Sequence, residues 1–259
     1  MHWIDTHTHL HFADFDPDRD AVVKRAVAAG VQSLVNIGTS VEGTKAALGL
    51  AEKYPNFYAT AGIHPHDAAE AKPSDFDEFK QLLQHEKVVA IGEVGLDFFR
   101  DLSPRHVQRE VLLEFIRLHE ETGKPLVIHS RDAYSDLVEI FTQAGKKPYR
   151  GIIHCFTGTE TDMMPFLDLG FDISFAGVLT YKKNDALREA CRKCPLERMH
   201  VETDAPYLAP QSLRGKRNEP AFMAETARLA AELKGVRLED FAAQLAKNAE
   251  RVLGIRCKD

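Results

Sequence analysis

The sequence predicts an α/β protein, a (β/α)8 TIM barrel that forms a single domain over residues 1–259. Apolar runs alternate with amphipathic stretches along the whole chain, and no Pro/Gly/Ser-rich linker divides it. Several runs are apolar throughout, which is typical of parallel strands covered by helices. His, Glu and Asp residues recur where these runs end, as expected if the strand ends meet at one place.

Eight segments are predicted as strands, and eight βα units in about 250 residues are typical of a closed barrel. An open doubly wound sheet is the alternative, but it would normally carry a glycine-rich phosphate turn after its first strand. Here His7-Thr8-His9 follows the first strand instead. The predicted strands are Trp3–Asp5, Ser33–Ile37, Tyr58–Ile63, Val88–Gly92, Leu126–His129, Gly151–His154, Phe171–Ser174 and His200–Glu202.

The clearest helix signal runs from Pro104 to about Thr122. Ser103 is a plausible N-cap, the proline suits the first helical position, and Gly123 ends the periodic pattern. Two further helices are predicted near the end of the chain, at about Pro220–Leu233 and at Leu238–Leu253.

The charge and hydropathy of the chain exclude some partners. The net charge is −6, so the field of the whole protein does not attract a polyanion, and any nucleic-acid binding must be local or metal-mediated. No apolar stretch is long enough to span a membrane, and the first residues lack the basic segment of a signal peptide. We therefore expect no membrane partner and a cytoplasmic protein.

Six of the eight predicted strands end in residues that can bind a metal. Residues two apart on a strand point to the same side, so the histidine pair after the first strand can converge on one point. In a barrel, all the carboxyl ends of the strands meet at one mouth. The set exceeds what packing requires and indicates a metal centre; it comprises His7, His9, His64, Glu93, His129, His154, Glu202 and Asp204.

The mixture of imidazoles and carboxylates favours two divalent ions. A carboxylate can bridge two ions about 3.5–4 Å apart, and Glu93 lies near the middle of the ligand order. His7, His9 and Asp204 would complete one site, and a histidine pair, His129 and His154, would complete the other. Asp204 is the predicted general base, with Glu93 beside it in the catalytic centre, and Glu202 is expected to orient a histidine.

Seven motifs follow one another along the chain: His7-Thr8-His9, Gly62-Ile63-His64-Pro65, Gly92-Glu93-Val94-Gly95-Leu96-Asp97, His129-Ser130-Arg131, His154-Cys155-Phe156-Thr157-Gly158, Glu202-Thr203-Asp204-Ala205-Pro206-Tyr207-Leu208 and Arg214-Gly215-Lys216-Arg217-Asn218-Glu219-Pro220. In this order they resemble the TatD family of metal-dependent deoxyribonucleases. The resemblance implies an amidohydrolase-type barrel with a dinuclear site, and the family's metal ligands carry over onto His7, His9, Glu93, His129, His154 and Asp204. It also implies hydrolysis of DNA phosphodiesters, often as a 3′→5′ exonuclease that uses Mg²⁺.

The predicted cofactor is two divalent ions per chain, with Mg²⁺ or Mn²⁺ supporting activity. A histidine-rich site favours Zn²⁺, Mn²⁺ or Fe over Mg²⁺, which prefers oxygen ligands. The metal bound on purification can therefore differ from the metal that best supports activity.

Several residues near the mouth are candidates for substrate binding. Arg131 can clamp a phosphate, or it can pair with Asp132 or Asp136. His64 can hydrogen-bond the substrate or a metal-ligated water, or it can be a structural residue of the turn at Pro65.

A basic cluster in the loop after the eighth strand, Arg214, Lys216 and Arg217, can contact phosphates or remain solvated, and Lys182 and Lys183 would extend it. Aromatic residues that follow strand ends can stack bases or fill the core. Phe98 is expected in the core, Tyr207 is open between the two roles, and Phe99 and Phe156 are further candidates.

The leading prediction is a hydrolase that takes DNA, single-stranded or at its 3′ ends, as substrate, with no obligate protein partner. The first alternative is the same scaffold hydrolysing a small-molecule amide, lactone or phosphoester. The second is a binding protein with an inert metal site, which the full ligand set disfavours.

Overall fold

A computed structural model describes residues 2–255 and shows the predicted barrel. Eight strands pair in parallel in chain order, each with the next, and helices alternate with them around the outside. Each predicted strand is present, with ends that shift by a few residues. The strands are β1 (Trp3–Thr8), β2 (Val31–Asn36), β3 (Phe57–Ala61), β4 (Val88–Asp97), β5 (Leu126–Arg131), β6 (Gly151–Ile153), β7 (Asp172–Phe175) and β8 (Met199–Val201).

The helices confirm the periodic patterns, with two differences at their starts. Ser103 does not cap a helix, because its hydroxyl donates to the His66 carbonyl and accepts from the Ala69 amide, and Pro104 takes the cap position. The segment from Pro220 opens as a 3₁₀ turn before the α-helix begins. The helices are α1 (Arg19–Ala28), α2 (Val41–Lys53), α3 (Pro73–Leu82), α4 (Arg105–Thr122), α5 (Tyr134–Gln143), α6 (Glu160–Leu169), α7 (Asp185–Lys193), α8 (Met223–Lys234) and α9 (Leu238–Leu253).

The barrel closes between β8 and β1 at what we call the closing seam. Few main-chain hydrogen bonds cross it; one runs from the Asp204 amide to the His7 carbonyl at 2.9 Å. Below it, the buried carboxylate of Asp5 accepts the amide of Thr203 at 3.0 Å and its hydroxyl at 2.5 Å. Burial raises the pKa of Asp5 to about 7 in spite of these bonds.

The lower end of the barrel is filled by apolar side chains. Residues from β1, β2, β5 and β6 form one cluster with the end of α9, which covers this end; they include Ile4, Val35, Val127, Ile152, Val252 and Leu253. A second, larger core fills the layer between strands and helices. Access from solvent is therefore at the carboxyl ends of the strands, where the polar residues lie. None of the helices within residues 2–255 is both long and apolar enough to span a membrane.

Candidate metal centre

The end of β1 and the segment after β8 bring three predicted ligands together. His7 lies on the last part of β1 and His9 directly follows that strand. Their Nε2 atoms lie 3.6 Å and 3.4 Å from Oδ1 of Asp204. All three ligand atoms lie within 4.8 Å of one another, which is close enough for one ion to bind them together.

The carboxylate of Glu93, on β4, lies between two groups of histidines. Its Oε1 atom is 2.8 Å from Nδ1 of His129 and 2.7 Å from Nε2 of His154. Its Oε2 atom faces the other way, 3.3 Å from Nε2 of His7 and 3.9 Å from Nε2 of His9. The two oxygens of one carboxylate thus face two separate sets of imidazole nitrogens.

Two glycines allow β4 to hold this carboxylate so close to β5. Gly92 and Gly95 have φ values of +142° and +148°, which side chains rarely adopt. A Cβ atom at Gly95 would lie 2.0 Å from the carbonyl oxygen of His129. The Gly-Glu-Val-Gly sequence therefore serves a close approach of two strands that carry ligands.

The ring orientation of three histidines is fixed by hydrogen bonds on the side away from the centre. Nδ1 of His9 lies 3.2 Å from the Ile37 carbonyl, so this nitrogen carries the proton and Nε2 faces inward without one. Nδ1 of His154 lies 3.2 Å from Glu202, which leaves Nε2 free toward Glu93. Glu202 thus contacts a histidine as the sequence predicted.

The third such histidine is oriented by a residue that received no role in the sequence analysis. Nε2 of His129 lies 3.1 Å from Oδ2 of Asp97, so Nδ1 is the nitrogen that faces Glu93. His66 contacts the same oxygen at 2.8 Å. A signal was present, because Asp97 lies four residues after Glu93 on one strand, and residues at even spacing share a face.

His64 presents the opposite tautomer to the centre. Its Nδ1 accepts the amide of His66 at 3.1 Å, so a neutral ring carries its proton on Nε2, 3.5 Å from Oε1 of Glu93. Burial lowers the pKa of His64 to about 4, which keeps the ring neutral. His64 therefore faces the centre as a hydrogen-bond donor.

The carboxylates of the centre are held in their charged form. Burial raises the pKa of Glu93, but the positive charge of His154 and the attraction of the other histidine rings around the carboxylate outweigh burial and hold the pKa well below its ordinary value. The pKa of Asp204 is likewise lowered, because contacts with His9 and His7 exceed the effect of burial. In the other direction, Glu93 and Glu202 overcome burial and raise the pKa of His154 well above its ordinary value.

The residues fit the binding of divalent metal. His7 is fully buried, yet neither of its ring nitrogens has a hydrogen-bond partner within residues 2–255, although two carboxylates lie close by. An unpartnered buried imidazole is costly unless something else binds it. Three inward-facing ring nitrogens, those of His9, His129 and His154, together with two buried carboxylates and one unpartnered histidine, form a donor set suited to borderline divalent metals.

Arg131 and Tyr207 both lie at the mouth of the barrel, but they have different neighbours. The guanidinium carbon of Arg131 lies 4.1 Å from the centre of the Phe99 ring. Asp136, one expected partner of Arg131, pairs with Arg109 instead. The ring of Tyr207 is 53% exposed and lies 6.3 Å from the ring of His9.

In the basic cluster, Arg217 forms an ion pair, whereas Arg214 and Lys216 are exposed. Arg217 donates to the Asp14 carbonyl and pairs with Asp18, so its side chain anchors the loop to the start of α1. Arg214 lies over the ring of Tyr181 at 4.7 Å, and Lys216 is exposed. Phe98 is buried as expected, and so is Phe156.

Comparisons with known proteins agree with the fold and with a metal-dependent hydrolase. The sequence model of the TatD related DNase family matches residues 4–254. The uncharacterized metal-dependent hydrolase YabD of Bacillus subtilis is 39% identical and aligns over 97% of this chain and 98% of its own. The 3′-5′ ssDNA/RNA exonuclease TatD of Citrobacter rodentium is 36% identical, with 98% of each chain covered.

A solved structure shows the same architecture. The TatD homologue YjjV of Escherichia coli superposes with a TM-score of 0.92 at 30% identity, covering 98% of each chain. The protein is thus a metal-dependent hydrolase of the TIM-barrel class. Within that class, the chain belongs to the TatD family.

Proposed function

We propose that this protein hydrolyses phosphodiester bonds of single-stranded DNA, from the 3′ end, with two divalent ions bridged by Glu93. The placement of its two carboxylate oxygens carries the proposal, since Oε1 faces His129 and His154 while Oε2 faces His7 and His9. A carboxylate that binds one ion through each oxygen is the usual bridge of a dinuclear hydrolytic site. His7, His9 and Asp204 would hold one ion, and His129 and His154 the other.

The ions, Asp204 and His64 have different roles in the proposed hydrolysis. The bound ions would supply Lewis acidity toward the phosphoryl oxygen and an acidified water nucleophile at neutral pH. Asp204, ionised and with its side chain 13% exposed, would accept the proton of the attacking water. His64 points its Nε2 proton into the same space and can donate to a phosphoryl oxygen that gains charge.

Two observations support a nucleic-acid substrate over a small amide or lactone. The relative from Citrobacter rodentium carries the name of a 3′-5′ ssDNA/RNA exonuclease. In this chain, Arg131 and Tyr207 add a cation and an exposed aromatic ring near the mouth, and both are groups that contact strands of nucleic acid. Mg²⁺ or Mn²⁺ is the proposed activating metal.

The deciding experiment combines metal loading with labelled substrates. Protein stripped of metal and reloaded with Mg²⁺ or Mn²⁺ is offered single-stranded oligonucleotides labelled at the 5′ or the 3′ end, next to small amides and lactones. We expect a ladder that shortens from the 3′ end and requires metal. Turnover of an amide or lactone with inert oligonucleotides would refute the nuclease assignment.

Metal content tests the bridge itself. Elemental analysis of the loaded protein should give two ions per chain, and anomalous scattering from crystals should place both next to Glu93. A single ion at full loading, away from Glu93, would remove the dinuclear model while leaving a hydrolase with one ion.

A further inference from the structure

We propose that Phe99 and Arg131 form a binding subsite for one unpaired nucleotide at the mouth of the barrel. The base would stack on the open face of Phe99, and a phosphate would bind the guanidinium edge of Arg131. This inference rests on the proposed nuclease function and adds the part of the protein that distinguishes single strands from duplexes.

Phe99 is exposed where an apolar ring has no packing role. Phe99 is 57% exposed, whereas its neighbour Phe98 is buried in the core. One face of the Phe99 ring is covered by Arg131, whose guanidinium carbon lies 4.1 Å from the ring centre. The exposure of the ring leaves the other face open, and every base can stack on such a face.

Arg131 lies over the Phe99 ring, and within the described residues its guanidinium N–H groups donate no hydrogen bond. Within residues 2–255 its guanidinium takes part in no ion pair, and Asp136, which could reach it along the chain, is paired with Arg109. Arg131 follows His129 by two residues on β5, so both side chains leave the same side of that strand. A planar fork of free N–H groups matches the oxygens of a phosphate.

The segment that carries Phe99 is firmly attached to the barrel. Oδ1 of Asp97 accepts the amides of Phe99 and Arg100 at 3.1 Å and 2.7 Å. The amide of Phe98 donates to the carbonyl of Arg131 at 2.9 Å. The backbone that carries the exposed ring is therefore held in place before any ligand arrives, and a preformed site loses less entropy on binding.

Asp97 also connects this subsite to the metal centre. Its second oxygen, Oδ2, contacts Nε2 of His129 at 3.1 Å, while Oδ1 holds the Phe99 segment. One carboxylate thus sets the position of a predicted metal ligand and of the stacking ring at once. A nucleotide stacked on Phe99 would therefore lie in a defined register with the hydrolytic centre.

The chemistry selects an unpaired nucleotide. Inside a duplex each base is stacked on both faces and cannot offer one to a protein ring without being unstacked, which costs a few kcal/mol. At a single-stranded end the face is free. The Phe99 ring with Arg131 behind it therefore favours single strands without reading their sequence.

The test combines protein variants with modified oligonucleotides. We compare wild type with Phe99→Ala and, as a matched control, Leu102→Ala, because Leu102 lies in the same loop and is 65% exposed but has no ring. Each is assayed for kcat/KM on a single-stranded DNA oligonucleotide and on versions that lack the base of the last or the penultimate nucleotide. In wild type, loss of the stacked base should reduce kcat/KM about 10-fold.

We expect Phe99→Ala to lose a similar factor on the intact oligonucleotide and to be insensitive to removal of that base, whereas Leu102→Ala behaves like wild type. Phe99→Trp should restore the preference for the base. Arg131→Gln should lower kcat/KM on the intact oligonucleotide. This reduction should disappear when the phosphate beside the stacked base is replaced by an uncharged methylphosphonate.

The outcomes separate this proposal from the nuclease function. Metal-dependent cleavage by wild type together with an equal base preference in Phe99→Ala would overturn the subsite alone. An equal loss of kcat/KM in Leu102→Ala would show that the loop rather than the aromatic ring affects cleavage. That result would also overturn the subsite. No cleavage of any oligonucleotide by metal-loaded wild type would overturn the proposed function and the subsite with it.

Discussion

On one side of the barrel mouth β4 and β5 remain paired up to Asp97 and Arg131, while on the other side β8 and β1 meet through an isolated bridge between Thr8 and Ala205. The first side places its ligands by main-chain register, aided by glycines that allow close approach. At the closing seam, one main-chain bond joins Asp204 to His7, and the side-chain bonds of Asp5 hold the neighbouring Thr203. Two halves of one metal centre therefore depend on different interactions, and substitutions should affect them differently.

The largest expected effect separates chemistry from metal binding. Asp204→Asn, on the seam side, should fold and keep most of its metal but lose about 10²–10⁴-fold in kcat, because an amide cannot accept the proton of the attacking water. His129→Asn, on the β4–β5 side, should lose metal and activity together. Turnover is measured beside metal content. Near wild-type turnover by folded Asp204→Asn would exclude Asp204 as the base.

Asp97→Asn should weaken metal binding on the β4–β5 side, and it removes no proposed substrate contact. The change removes a charged acceptor that holds His129, and loss of such a partner typically lowers metal affinity about 10–100-fold. Metal titration by calorimetry gives the value for each ion, and circular dichroism checks the fold. If the affinity for both ions falls equally, the two halves of the centre are coupled, and the expectation that they respond differently is wrong.

Thr203→Val should destabilise the seam. It removes the hydroxyl that donates to Asp5 and leaves a buried carboxylate oxygen unpaired, at a cost of about 1–3 kcal/mol in the free energy of unfolding. Ser130→Ala on β5 is the control, because the buried Ser130 hydroxyl has no hydrogen-bond partner within residues 2–255. Urea unfolding measures both. Equal destabilisation by the two variants would contradict a special role for the seam.

The smallest effect is expected from the loop that follows the seam. Arg214→Ala with Lys216→Ala should raise KM for single-stranded DNA a few-fold and flatten its salt dependence, since each lost phosphate contact reduces counterion release. Arg217→Ala should instead lower stability, because Arg217 pairs with Asp18. KM is measured over a range of salt concentrations. An unchanged KM in the double variant would make Arg214 and Lys216 ordinary solvated residues.

The barrel and the grouping of the ligands were predictable because both depend on local patterns. Apolar runs mark the strands, and a parallel barrel brings every carboxyl end together. The convergence of the histidines therefore follows from the strand assignment alone. The roles of Asp97 and His66 were not predictable in the same way, since they depend on which ring nitrogen faces which oxygen. The pairing of Arg217 with Asp18 joins residues 199 positions apart, and a charge count cannot distinguish it from a phosphate contact.

The packing of α9 against the lower barrel has a consequence for how a polymer is handled. Val252 and Leu253 pack across that end, and residues 2–255 leave no channel through the barrel there, so under the proposed function a strand would not be threaded past the metal centre. Under the same proposal, a nucleotide released at the centre would leave by the opening through which the strand came in. Processivity would then depend on how well the rim holds the shortened strand while its product departs.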